Sequence, residues 1–165
     1  MMLFKNRTNV AVLTTVAILT VAIQAVVVSR SEESAGQIRE GRRVISPENY
    51  PYFGLPYSPG ILTGDTLYIA GHLGRHPQST ELVPGGIEAE TRQSLANIRE
   101  VLLAANMDFE NVVSVTAYIA DIREFSTFNK VYREYFPQDP PARATVQVAA
   151  LNAGAKIELQ MIAVR

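Results

Sequence analysis

The sequence predicts an α+β fold in which a mixed sheet carries two amphipathic helices on one face. Three observations lead there. Short apolar runs and two stretches of 3.6-residue apolar spacing follow one another in the order ββαβαββ, over about 120 of the 165 residues. Each helix has one apolar stripe, and two such stripes are buried together when both helices cover the same side of a sheet. The last strand alternates Ile157, Leu159 and Met161 against Glu158, Gln160, Ile162 and Val164. Its second face therefore mixes apolar and polar groups, which is poor as a solvent surface and is expected to pack against other subunits.

Taken in order, residues 1–29 read as a membrane anchor or signal segment. Residues 10–28 are 19 residues without charge, preceded by Lys5 and Arg7. As a helix they would cover roughly 28 Å, close to the ~30 Å hydrocarbon core. A cleaved signal has an apolar run of only about 7–15 residues, so an uncleaved anchor is the first reading. A short basic tail ahead of one span stays cytoplasmic, which places the rest in an exported location, periplasmic or extracytoplasmic. Residues 30–46 are polar and read as a linker, and 47–165 as the globular domain. Residues 47–59 hold four of the nine prolines and three tyrosines, an extended lead-in.

Residues 61–73 read as a hairpin turning at Thr63-Gly64-Asp65, where Gly-Asp supplies the positive φ of a tight turn. Residues 74–86 are loop. A helix over 87–106 follows from Leu95, Ile98, Leu102 and Ala105 on one stripe, with Glu88 and Glu90 near its start and Asn106 as its stop. Residues 112–120 alternate Val113, Val115, Ala117 and Ile119 against Ser114, Thr116 and Tyr118, a half-buried strand. Residues 125–136 bring Phe125, Phe128, Tyr132 and Phe136 to one helical face, ended by Pro137. Residues 144–151 and 156–164 are two further strands, expected to be neighbours joined through Asn152-Ala153-Gly154.

Composition excludes several chemistries. There is no cysteine, so disulfides, thiolate nucleophiles and cysteine-held metals are out. Residues 1–43 carry a net +3, and the remainder carries −4, which argues against a nucleic-acid footprint. No phosphate-binding, nucleophile-elbow or zinc-protease motif is present. His72 and His76 lie either side of Gly74 with no carboxylate before Glu81, and read as loop packing rather than metal ligands. Gly85-Gly86 read as turn residues, since Glu88 and Glu90 already complement the helix start.

The stretch most suited to chemistry is Pro140-Pro141-Ala142-Arg143-Ala144-Thr145-Val146 followed by Lys156-Ile157-Glu158-Leu159. Arg143 opens a strand behind a rigid Pro-Pro, and a guanidinium fork there suits a carboxylate held at two points. Glu158 points to the non-helix face and is suited to hold or activate a water. A structural Arg143–Glu158 ion pair fits the same spacing.

Several segments in order carry a resemblance: Gly54-Leu55-Pro56-Tyr57-Ser58, Asp65-Thr66-Leu67-Tyr68-Ile69-Ala70-Gly71, Thr91-Arg92-Gln93-Ser94-Leu95-Ala96-Asn97-Ile98, Asn129-Lys130-Val131-Tyr132, and Pro141-Ala142-Arg143 through Ile157-Glu158. From about Pro56 to Arg165 the chain resembles the Rid family, the reactive intermediate deaminases also called YjgF-like. The resemblance implies a chorismate-mutase-like fold assembled as a homotrimer, with sites in clefts between subunits. It implies hydrolysis of enamines and imines such as 2-iminobutanoate and 2-iminopropanoate to 2-oxo acids and ammonia, without cofactor or metal. By motif position Arg143 binds the substrate carboxylate, Glu158 positions the attacking water, Tyr57 and Thr145 line the pocket, and Gly71 gives main-chain contacts. The chain departs from the family pattern at His72, where Gln is common, and at Pro59, Leu159 and Gln160. A ligand-binding, stress-protective trimer and an endoribonuclease are the competing functions.

Overall fold

The computed structural model describes residues 41–48, 55–77 and 79–165. Six strands form one sheet in the order β1-β2-β3-β6-β4-β5. They are β1 (Arg42–Ile45), β2 (Gly60–Thr63), β3 (Thr66–Leu73), β4 (Val112–Ile119), β5 (Ala142–Gln147) and β6 (Ile157–Val164). Helix α1 (Gly86–Ala104) lies between β3 and β4 in the chain, and α2 (Phe125–Tyr135) between β4 and β5. Neighbouring strands are antiparallel except β4 and β5. Those two are parallel because α2 returns the chain to the starting end, as a parallel pair requires.

The core follows the two sequence periods. Leu67, Ile69, Ile157, Leu159 and Met161 from the sheet meet Leu95, Ile98, Leu102 and Phe128 from the helices, all at most 2% exposed. Each such side chain contributes on the order of 1.5–3 kcal/mol by leaving water. In β4 the alternation breaks at Val113, which is exposed: a bulge between Val112 and Ser114 turns Val112 to the core instead. In α2 the buried residues are Phe128, Val131 and Tyr132, while Phe125 stays partly exposed at the first turn.

Turn chemistry sets the boundaries. Gly64 takes φ 54° between β2 and β3, as the first central residue of a II′ hairpin must. Helix α1 stops at Asn106, whose φ is 55°. There the Asn106 N–H donates to Leu103 and the Met107 N–H to Leu102, each at 2.9 Å. This is a Schellman closure with asparagine in the left-handed position.

A polar stripe on α1 holds the end of β3. A bulge lies between Ile69 and His72. Beyond it the Ser94 hydroxyl donates to the His72 carbonyl at 2.8 Å. The Asn97 amide donates to the carbonyls of Leu73 at 3.2 Å and Arg75 at 2.9 Å. A Cβ at Gly74 would lie 2.4 Å from Glu90 Cα, so this approach of helix to strand requires glycine. The Glu90 carboxylate in turn accepts the Lys156 N–H at 2.7 Å, ahead of β6.

Four expectations are corrected. Residues 144–151 and 156–164 are not neighbouring strands: β4 lies between β5 and β6. A strand has two edges, β6 occupies one edge of β4, and the crossover through α2 delivers β5 to the other. Residues 42–45, placed in the polar linker, form edge strand β1 against β2. Their Ile45 is buried although the segment reads as charged. His72 is in β3 rather than a loop, and buried. The membrane-anchored, exported location is also overturned: no helix among the described residues is long and apolar enough to cross a membrane. Helix α1 has nearly the length but carries Glu88, Glu90, Arg92, Arg99 and Glu100, and the 11 residues of α2 would span only about half the core. Residues 1–29, on which that expectation rested, lie outside the described residues, as do 49–54 of the extended lead-in.

His72 gives the fold a pH dependence. It is 2% exposed, and burial lowers its pKa from 6.5 to about 4, against an opposing hydrogen bond to the Pro59 carbonyl. Between those values the unfolded chain holds a proton that the folded chain does not, so stability is lost as pH falls through that window. The full loss is about 3 kcal/mol. Urea unfolding at pH 7 and pH 4 should show wild type losing more stability than His72→Gln by up to about that amount. Parallel losses in the two proteins would contradict a neutral buried imidazole.

Candidate active site

The irregular end of β3 and the middle of β6 form a cleft of about 430 Å³, lined by Tyr57, Gly71, Arg75, His76, Glu158 and Gln160 among others. Glu158 is its carboxylate. On β6 it faces Leu73 of β3 and Tyr118 of β4, on the sheet surface away from the helices. Its seat depends on Gly71: a Cβ there would lie 1.9 Å from Glu158 Oε1. The carboxyl is half-buried, and desolvation raises its pKa above the ordinary value while the charge of Arg75 pulls it down. A smaller hollow of about 330 Å³, lined by Gly71, Tyr118, Leu151, Glu158 and Gln160, opens on the same carboxylate. Such a group can accept a proton from a water held in the cleft.

Arg143 is elsewhere. It pairs with Val115 of β4, whose side chain is buried on the helix side. Its guanidinium donates to Asn129 Oδ1 at 2.7 Å. Its Cζ lies 4.4 Å from the Tyr132 ring centroid and 5.0 Å from that of Phe128. Aromatic faces and one amide thus hold the fork without neutralising it. Thr145 is on the same side, with its hydroxyl buried and lacking a hydrogen-bond partner. Of the sequence-predicted residues, Tyr57, Gly71 and Glu158 meet in one cleft, whereas Arg143 and Thr145 lie on the opposite face two strands away. An Arg143–Glu158 ion pair within one chain is therefore ruled out.

Sequence reasoning missed Arg75, Gln160 and Asn97 as cleft residues. For Asn97 a signal existed: Thr91, Ser94 and Asn97 recur every three residues as a buried polar stripe beside the apolar one. A buried polar stripe must find partners: the Thr91 hydroxyl donates to the Ile87 carbonyl of its own helix, while Ser94 and Asn97 take carbonyls at the end of β3 and just beyond it. For Arg75 the sequence held no signal, because only the bulge and the Asn97 bond turn its backbone into the cleft wall.

A family model described as Endoribonuclease L-PSP matches residues 48–165. The chain is 49% identical over 124 residues to the 2-iminobutanoate/2-iminopropanoate deaminase of Bos taurus, covering 75% of this chain and 90% of that protein. It is 46% identical over 124 residues to the Homo sapiens protein of the same description, with the same shares covered. The YjgF gene product of E. coli has a similar structure, with TM-score 0.70 and 32% identity over 74% of this chain and 98% of that one. The chain belongs to this family, the Rid or YjgF-like proteins.

The seat of Glu158 can be tested on its own. Gly71→Ala should displace the carboxylate into water, because a side chain yields more readily than two paired strands. Carbon-13 NMR titration should then show the Glu158 pKa falling back towards the ordinary carboxylate value with little change in Tm. An unchanged titration would show that Gly71 does not set the seat.

Proposed function

We propose that this protein hydrolyses reactive 2-imino acids and their enamine tautomers, such as 2-iminobutanoate, to 2-oxo acids and ammonia. The observation that carries the reading is the half-buried Glu158 carboxylate, seated on Gly71 in a cleft, in a chain 49% identical to a 2-iminobutanoate/2-iminopropanoate deaminase. A protonated imine is already electrophilic, so the protein's task is to hold the substrate and place water. Water attacks the imine carbon and gives its proton to Glu158, forming the C–O bond. Glu158 then returns that proton to nitrogen, and the C–N bond breaks while the new hydroxyl gives its own proton to Glu158. Ammonia leaves a 2-oxo acid and takes up this last proton on release. The family description names an endoribonuclease, but the net −4 over 44–165 opposes phosphate binding.

The substrate carboxylate is assigned to Arg143, with Tyr57 and Thr145 lining the pocket and Gly71 offering main-chain contacts. Because Arg143 and Glu158 occupy opposite faces of one sheet, a joint site needs Arg143 from another copy, and the proposed assembly is a homotrimer. The sheet surface away from the helices supports this. Val44, Ile61, Tyr68 and Ile162 are cross-strand neighbours there, and Val44 and Tyr68 are each 50% exposed. Such an apolar row fits a subunit interface better than water.

Sedimentation of residues 41–165 should give a trimer, and a stable monomer would remove the shared site. Release of 2-oxo acid from freshly generated 2-iminobutanoate should exceed the spontaneous rate. Glu158→Gln should lower turnover while keeping 2-oxo acid affinity, and Arg143→Lys should lower kcat/KM about ten- to a hundredfold. In wild type kcat/KM should fall as pH drops through the raised Glu158 pKa, because the base acts as a carboxylate. Unchanged turnover in Glu158→Gln would exclude this mechanism.

A further inference from the structure

Arg75 is held where it can recognise more of a substrate than its reacting end. Its N–H donates to the Leu73 carbonyl at 2.8 Å, and the residue forms a bridge with Leu82. Its own carbonyl accepts from the Asn97 amide at 2.9 Å. The side chain therefore leaves a fixed point in the wall of the cleft that also holds Glu158. Among the described residues, Arg92, Arg99 and Arg123 each pair with a carboxylate and Arg143 bonds to Asn129. Arg75 has no ion pair there, and its Nε is closed off from solvent without an acceptor.

A guanidinium that lines a cleft and has no paired carboxylate can take its counter-charge from a ligand, through the atoms that face the cleft. Glu158 does not serve, since the two form no ion pair. Nor does Asn97, whose amide is taken up by the carbonyls of Leu73 and Arg75 and whose oxygen accepts from Gln93. The reacting imine is itself cationic. A guanidinium beside it is repulsive for a substrate with an uncharged side chain and attractive for one that brings a second carboxylate.

Resting on the deaminase reading above, we propose that Arg75 is a specificity-determining residue. Its guanidinium receives a side-chain carboxylate, so the preferred substrates are 2-imino dicarboxylic acids. The two carboxylates of such a substrate then have separate cations, Arg143 of another copy for the one beside the imine and Arg75 for the one at the far end. A charge-assisted contact of this kind is worth about ten- to a hundredfold in affinity.

The test compares two five-carbon imines, 2-iminoglutarate and 2-iminopentanoate, on the full chain as wild type, Arg75→Met and Arg75→Lys. Wild type should favour 2-iminoglutarate in kcat/KM by at least about tenfold, and Arg75→Met should lower that ratio about ten- to a hundredfold. Arg75→Lys, which keeps the charge without the fork, should fall between. A wild-type ratio at or below one, or a ratio unmoved in Arg75→Met, overturns the proposal. Calorimetric binding of 2-oxoglutarate and 2-oxopentanoate to the same proteins decides it independently of turnover. If neither imine is hydrolysed the deaminase reading fails, while equal binding of the two 2-oxo acids by wild type overturns the role of Arg75.

Discussion

Strand β6 is paired on both edges, with β3 on one side and β4 on the other, and the alternation of its side chains governs both surfaces of the sheet. Ile157, Leu159, Met161 and Ala163 point to the helices and are buried. Glu158 and Gln160 are thereby committed to the other surface, where they line the cleft. A slip of one residue in register would exchange the two sets, moving a carboxylate into the core. The ties from Ser94, Asn97 and Glu90 to the end of β3 and the start of β6 hold that register in place.

The same alternation separates the two residues best suited to chemistry. Arg143 on β5 shares the helix side with Val115, and Glu158 shares the far side with Tyr118. No side-chain motion brings them together through an intact sheet. An isolated chain therefore holds a carboxylate in a cleft on one face and a guanidinium stacked on rings at the sheet edge on the other. The proposed trimer joins the two from different copies and covers the apolar row through Tyr68 and Ile162.

Much of the fold was legible in the sequence because it rests on local rules. The stripe of Leu95, Ile98 and Leu102, the asparagine stop at 106, the Gly64 turn and the alternation of β6 all depend on residues a few positions apart. The neighbours of β5 were not legible, because strand order is decided by which edge of β4 remains open. The break at Val113 was missed because a bulge shifts the pattern by one residue without a local marker. In the site, Glu158 was reached from the alternation of the last strand, and Gly71 and Tyr57 through the family resemblance; the structure adds the close approach that links Gly71 to Glu158. Strand β1 escaped notice because its four residues, Arg42 to Ile45, bury a single apolar side chain.

The central claim is that Arg143 and Glu158 act together only across copies, and subunit mixing tests it most directly. Arg143→Lys and Glu158→Gln, each severely impaired alone, are unfolded together and refolded as mixed assemblies. In a closed ring with random mixing, about a quarter of the sites receive an intact Arg143 from one copy and an intact Glu158 from the next. Recovery of imine hydrolysis to roughly that fraction of wild type is the predicted result. Mixed assemblies that form and yet recover no activity above the two separate variants would contradict the account.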